Sequence, residues 1–179
     1  MRSPKGVKES EREMPRKENK TNSMRLLDAQ KIPYTVHRFS PSIHSAQGVA
    51  EALGLPPGQV FKTLVVVPAN EKGKPLLAIV PGDRELDLKK LARLANAKKL
   101  RMASHREAEA LTGLLVGGIS ALALLQKGWR VFLDASAQTY QEILVSAGQR
   151  GINLQLAVED LCRITHAQVG DISRPAGQA

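Results

Sequence analysis

Apolar and polar positions along this chain switch repeatedly between a helical and a strand period. Leu26 and Leu27 fall inward on a short helix that Ser23 caps, running to Gln30, and Pro33 stops it. YTVHRF, residues 34 to 39, alternates as a strand. Ser45 caps a helix, AQGVAEALG, that ends at Gly54 ahead of Pro56-Pro57. VFKTLVVV, residues 60 to 67, is the most strand-like stretch, and the polar NEKGK turns it into a hairpin with PLLAIV. Asp87 caps LKKLARLAN, with Leu88, Leu91 and Leu94 as its apolar stripe and Lys89, Lys90 and Arg93 toward the other side. A short strand, KLRMA, precedes a helix that Ser104 opens and Gly113 closes. Strands WRVFLD (129–134), EILVSAG (142–148) and INLQLA follow, then a helix from Val158 to Ile164. Interleaved strands, helices and hairpins predict a mixed α/β (α+β) single domain, with one curved, mostly antiparallel mixed sheet flanked by helices.

Residues 1–22 mix charges with Pro and Gly and hold almost nothing to bury, so a disordered basic tail is expected ahead of a domain at 23–174 and a C-terminal tail at 175–179. Apolar residues make up 42% of the chain, enough for one core, and aromatics only 3%, so that core rests on Leu, Val, Ile and Ala. The formal charge is +9, of which residues 1–20 supply +3 and the body +6. A basic body suits a polyanionic partner, nucleic acid first; solubility alone explains it equally well. Cys162 is the only cysteine, which excludes an intrachain disulfide and a CxxC metal site and suits a reducing, cytoplasmic location. There is no apolar run of membrane-spanning length, and the N-terminus lacks the apolar core of a secretory signal.

Three stretches carry candidate chemistry. Lys62 interrupts the strand at 60–67, where both faces are otherwise apolar: Val60, Leu64 and Val66 on its own face, Phe61, Thr63, Val65 and Val67 on the other. It either snorkels from the strand start or sits in a pocket as an anion-binding cation. TGLLVGGISAL, residues 112–122, brings Gly113, Gly117 and Gly118 into an apolar context; this is a tight turn or a backbone site presenting N–H donors. VSAGQRG, residues 145–151, places Ser146 and Arg150 just beyond a strand, either as phosphate or ribose contacts or as a solvated turn. The chain lacks GxSxG, GxxxxGK[ST] and any HxxxH spacing among His37, His44, His105 and His166, so neither a P-loop nor a zinc site is expected. Cys162 falls on the apolar face of VEDLCRI and reads as a packing residue.

The segments KIPYTVHRF, LGLPPGQVFKTLVV, ELDLKKLARLANAKKLRMAS, TGLLVGGIS and VSAGQRGINLQL, in this order over about residues 24–172, resemble the YbaK family of aminoacyl-tRNA deacylases, relatives of the editing domain of bacterial prolyl-tRNA synthetases. The resemblance implies a partly rolled mixed sheet with a pocket between sheet and loops. It also implies hydrolysis of the ester joining a wrong amino acid to tRNA, Cys on tRNA(Pro) foremost. By motif, Lys62 anchors the substrate and Gly117 presents backbone groups to the ester. Phe39, Thr63, Gly118, Ser120, Ser146 and Arg150 become pocket residues. No cofactor, no metal and no protein nucleophile is implied; in cysteine-specific members the substrate's own thiol attacks. Phe39 stands where that subgroup has tyrosine, and Ala121 where proline usually follows GGIS, so a deacylase for another amino acid such as Ala or Ser is an alternative; the basic body and the fold also suit a non-catalytic tRNA-binding module that docks on a synthetase. The implied partners are tRNA and prolyl-tRNA synthetase; the oligomeric state is left open between monomer and weak dimer.

Overall fold

The computed structural model describes residues 19–177; residues 1–18 of the expected tail lie outside them, as do the last two residues of the chain. The first helix, α1 (Asn22–Ala29), is capped by Thr21 rather than Ser23, because the Thr21 hydroxyl accepts the Met24 N–H. Ser23 turns inward instead and is fully buried. Structured chain therefore begins inside the segment expected as tail. Strand β1 (Thr35–Arg38) and helix α2 (Ala46–Leu53) follow, the latter capped by Ser45 and closed by Gly54 in the left-handed region. Strands β2 (Phe61–Pro68) and β3 (Leu76–Pro81) form the predicted antiparallel hairpin, with Lys62 opposite Val80 and Val66 opposite Leu76. Next come β4 (Arg84–Leu86), α3 (Leu88–Ala95) with its Asp87 cap, β5 (Leu100–Met102), and α4 (His105–Thr112). A capping box between Ser104 and Glu107 starts α4. The second half holds β6 (Arg130–Asp134), β7 (Glu142–Ser146), β8 (Ile152–Ala157), α5 (Val158–Thr165), β9 (Gln168–Gly170) and β10 (Ser173–Pro175). Pro175, expected in the C-terminal tail, belongs to β10.

The mixed α/β class is as expected, but its strands divide into three groups. A five-stranded sheet runs β5-β2-β3-β6-β9, an antiparallel sheet runs β1-β8-β7, and β10 pairs with β4. In the five-stranded sheet β6 runs parallel to both β3 and β9. Parallel pairing joins residues far apart in sequence, so local periodicity holds no sign of it. A parallel bridge from Val60 to Leu144 links the two larger sheets.

Both faces of β2 are covered. Phe61 and Val65 enter a core with Leu154, Ile143 and Leu133, while Val66 packs with Leu91, Phe132 and Ile172 beneath α3. Lys90 ties α3 to the end of the chain, donating to the Asp171 carboxylate at 2.9 and 3.0 Å and to the Ser173 carbonyl at 2.9 Å. Cys162 is half-buried against the core, and burial pushes its thiol pKa up, as suits a packing residue. Among the described residues no helix is long and apolar enough to cross a membrane.

Candidate functional site

β2 has a notch in its pairing. One edge pairs with β3 from Phe61 to Val66, but the other meets β5 only from Val66 to Pro68, and β7 is bridged only at Val60, the residue before the strand. Between these, residues 61–64 have an open edge, and a cavity of about 350 Å³ lies there. This explains why Lys62, Thr63 and Leu64 all line it although neighbours on a strand point to opposite faces. Ser146, at the end of β7, and Asn153, its partner on β8, close one side; Met102, the last residue of β5, and Ala103 after it close the other.

The charge of Lys62 is held where water is partly excluded. Among the described residues no hydrogen bond or ion pair engages its ammonium. Desolvation lowers its pKa from the usual lysine value, partly opposed by the carboxylates of Glu85 on β4 and Asp83 on the turn between β3 and β4. The N-terminal turns of α2 and α4 reach the same cavity through Ser45, Ala46 and Gln47 and through His105. A helix N-terminus carries a partial positive charge and spare N–H groups, so cation and helix ends together favour an anion or a developing negative charge.

Gly117 lies in a turn in which the Gly118 N–H donates to the Leu115 carbonyl at 2.8 Å. Its φ of +92° is the left-handed geometry that glycine accepts at the third position of such a turn. A methyl group there would also sit 3.2 Å from His44 Cα and Cβ. Val116, the residue before Gly117, is clamped from two distant elements. The Val116 N–H donates to Glu109 Oε1 at 3.0 Å, and the Val116 carbonyl accepts from Arg150 Nε at 2.7 Å. A trans peptide sets its carbonyl and the next N–H in opposite directions, so Arg150 fixes the direction of the Gly117 N–H. Among the described residues nothing accepts that N–H.

Of the residues expected from sequence, Lys62, Thr63, Gly117 and Ser146 meet at this cavity. Four do not line it. Gly118 is buried against the neighbouring loop, where a methyl group would come within 2.9 Å of the Arg150 backbone nitrogen. Arg150 holds the Val116 carbonyl. Ser120 is 1% exposed, facing Ser23 Oγ at 3.4 Å. Phe39 packs with Val49, Val60 and Leu144. Sequence reasoning missed His44, His105, Asn153 and Met102 as lining residues. The two histidines carried a usable signal: each adjoins a helix-capping serine, Ser45 or Ser104. Asn153 is 5% exposed and had no signal, since a polar residue inside INLQLA reads as the solvent face of a strand.

The fold and cavity define an aminoacyl-tRNA editing domain, and the model of that family matches residues 40–164; the chain belongs to this family. A protein of Enterococcus faecalis named as a Cys-tRNA(Pro)/Cys-tRNA(Cys) deacylase, EbsC, is 42% identical over 158 residues, which cover 87% of this chain and 94% of that protein. A proline–tRNA ligase of Nitratidesulfovibrio vulgaris is 34% identical over 116 residues, and the match spans only 20% of that larger enzyme. A solved structure described as a trans-editing enzyme for prolyl-tRNA synthetase superposes with a TM-score of 0.69 at 27% identity, covering 86% of this chain and 97% of that one.

Proposed function

We propose that this protein hydrolyses the aminoacyl ester of mischarged tRNA in trans, with Cys-tRNA(Pro) as its preferred substrate. The observation that carries the reading is the half-buried Lys62 ammonium, which makes no hydrogen bond or ion pair among the described residues, in a cavity that also holds Gly117, a residue whose N–H none of them accepts. A cation without a partner in such a place is costly unless a ligand supplies the anion. The terminal nucleotide of a tRNA brings phosphate and its ester brings a carbonyl, so both groups have work to do in one complex. The 42% identical relative and the family match point to the same substrate class.

In this reading the chain's contribution is placement and charge stabilisation. Among the described residues no imidazole or carboxylate is hydrogen-bonded to Ser45, Thr63 or Ser146, the hydroxyls lining the cavity; Ser45 Oγ accepts the Gly48 N–H at 3.0 Å and Ser146 Oγ the Gly148 N–H at 3.2 Å. None is set up as a nucleophile. With a cysteinyl substrate, the thiol sulfur bonds to its own ester carbonyl carbon. The bond from that carbon to the ribose oxygen breaks, the thiol proton ends on that oxygen, and a cysteine thiolactone leaves, which water then opens to cysteine, completing the hydrolysis. Negative charge on the carbonyl oxygen peaks between these events, where the Gly117 N–H and Lys62 stabilise it.

The test is a panel of mischarged tRNAs offered to wild type and to Lys62→Ala, with release of each amino acid followed. Release of Cys from tRNA(Pro) by wild type and its loss in Lys62→Ala is the expected result. Release of Ala or Ser in its place moves the specificity, and no release from any tRNA refutes the deacylase reading.

A further inference from the structure

The surplus positive charge of the domain is gathered at the end of the five-stranded sheet away from Lys62. Residues 21–179 hold nineteen Lys and Arg against thirteen Asp and Glu. Six of the nineteen, Lys72, Lys74, Lys98, Lys99, Lys127 and Arg130, converge at this end from three separate segments; setting them aside leaves thirteen against thirteen. Strand register brings them together. Leu76, at the start of β3, lies between Val66 and Arg130, and Pro68 pairs with Leu100. The Ala69 N–H donates to the Lys99 carbonyl at 2.9 Å, Arg130 Nη1 donates to the Ala95 carbonyl at 2.8 Å, and Lys74 Nζ lies 3.9 Å from a Cβ placed on Gly128. All six are exposed and none forms an ion pair among the described residues. The carboxylate in these segments, Glu71, faces Arg101 at 3.7 Å.

A groove of about 510 Å³ opens at this end, lined by Trp129, Arg130, Leu125, His166 and Gln168. Trp129 is half-buried, with Lys127 Nζ 5.6 Å from its ring centroid. Unpaired cations around an aromatic face are the two parts of a single-strand-tolerant nucleic-acid surface: phosphates meet the ammonium groups and a base stacks on the ring. An acidic protein would use the cations but has no need of the indole.

We infer that this basic end is an RNA-binding surface, gripping the backbone of the tRNA whose 3′ end enters the cavity. The inference rests on the deacylase reading only for the identity of the RNA. Lys62 and Arg130 are separated by two strand spacings and four residues of β3, about 16 Å, so one RNA reaches both.

The experiment measures binding of uncharged tRNA by fluorescence anisotropy over a salt series. The proteins are wild type, Lys72→Gln/Lys74→Gln/Lys98→Gln/Lys99→Gln, and the paired comparison of Lys98→Gln/Lys99→Gln with Arg25→Gln/Lys31→Gln at α1. Circular dichroism checks that each is folded. The expected result is a roughly ten- to hundred-fold weaker affinity for the quadruple variant, with the log–log salt slope shallower by up to about 3. The Lys98/Lys99 pair should lose clearly more than the Arg25/Lys31 pair. Trp129 is the sole tryptophan, so its emission should change as RNA binds. Equal loss in the two pairs, an unchanged slope, or RNA binding with silent Trp129 emission overturns the inference, as does no RNA binding by wild type. The two readings fail separately: weakened RNA binding with no deacylation of any tRNA keeps this surface and refutes the enzyme, and active deacylation with unaltered RNA binding does the reverse.

Discussion

Arg150 was expected to touch substrate, yet its Nε is spent on the Val116 carbonyl at 2.7 Å. Replacing it with alanine removes a hydrogen bond from a charged donor, worth ~1.5–3 kcal/mol. Loss of an oxyanion donor outright costs ~2.7–4 kcal/mol in the transition state. The turn keeps its other ties, Val116 N–H to Glu109 and Gly118 N–H to Leu115, so the Gly117 N–H is loosened and not lost. The expected cost is therefore about 1.5–3 kcal/mol, a fall of ten- to hundred-fold in the rate of the chemical step. Single-turnover deacylation of Cys-tRNA(Pro) at saturating enzyme reads that step directly, and substrate titration reads affinity. A positioning residue predicts a lower rate with a nearly constant KM. Arg150→Lys should recover little, because an ammonium does not reproduce the directed Nε donor, and guanidinium added to Arg150→Ala should recover part. A raised KM at unchanged kcat would refute the reasoning and restore Arg150 as a substrate contact.

Further outcomes follow from the same geometry. Lys62→Met should abolish deacylation while leaving the melting temperature equal or higher, since it removes a partly desolvated charge without a partner; a large loss of stability would show that Lys62 holds the fold. The lowered pKa of Lys62 means its charge is lost below the usual lysine range, so substrate affinity should weaken on the alkaline side there and persist in Lys62→Arg. Folding stability should move the opposite way, rising with pH from the folded pKa to the unfolded value, because the unfolded chain binds that proton more tightly. Glu107 is held at about 2 by the hydrogen bond from Arg101 and by the Ser104 backbone N–H, so its contribution is present above about 4.5 and lost as pH falls toward 2. An acid-unfolding profile of Glu107→Gln should lack that part of the slope. Gly118→Ala should lower stability by ~1–3 kcal/mol in denaturant unfolding, because its methyl would lie 2.9 Å from the Arg150 nitrogen and 3.1 Å from the Gln149 carbonyl carbon, both backbone atoms.

Much of this protein was readable before any coordinates. Caps and stops at Ser45, Gly54, Asp87, Ser104 and Gly113 are local chemistry: a side-chain oxygen meets an N–H two or three residues on, or a glycine takes the left-handed turn. The β2–β3 hairpin was equally legible, because its alternation and its turn are contiguous in sequence. Lys62 stood out as a charge where burial was expected, and the ordered motifs around it identified the family.

Tertiary structure decided the rest. The notch at residues 61–64 exists because β5 and β7 engage the two ends of one strand edge and leave its middle open, a fact of pairing between segments more than eighty residues apart in the case of Val60 and Leu144. Contacts between helix and loops distant in sequence made Ser120 a buried neighbour of Ser23 and Arg150 a clamp on Val116. The pairing of β2 with β5 and of β3 with β6 drew six scattered cations to one end of the sheet. Residue type and local period determine which segments become helix or strand; which atoms then meet depends on strand register and sheet order, and those are settled only when distant segments pair.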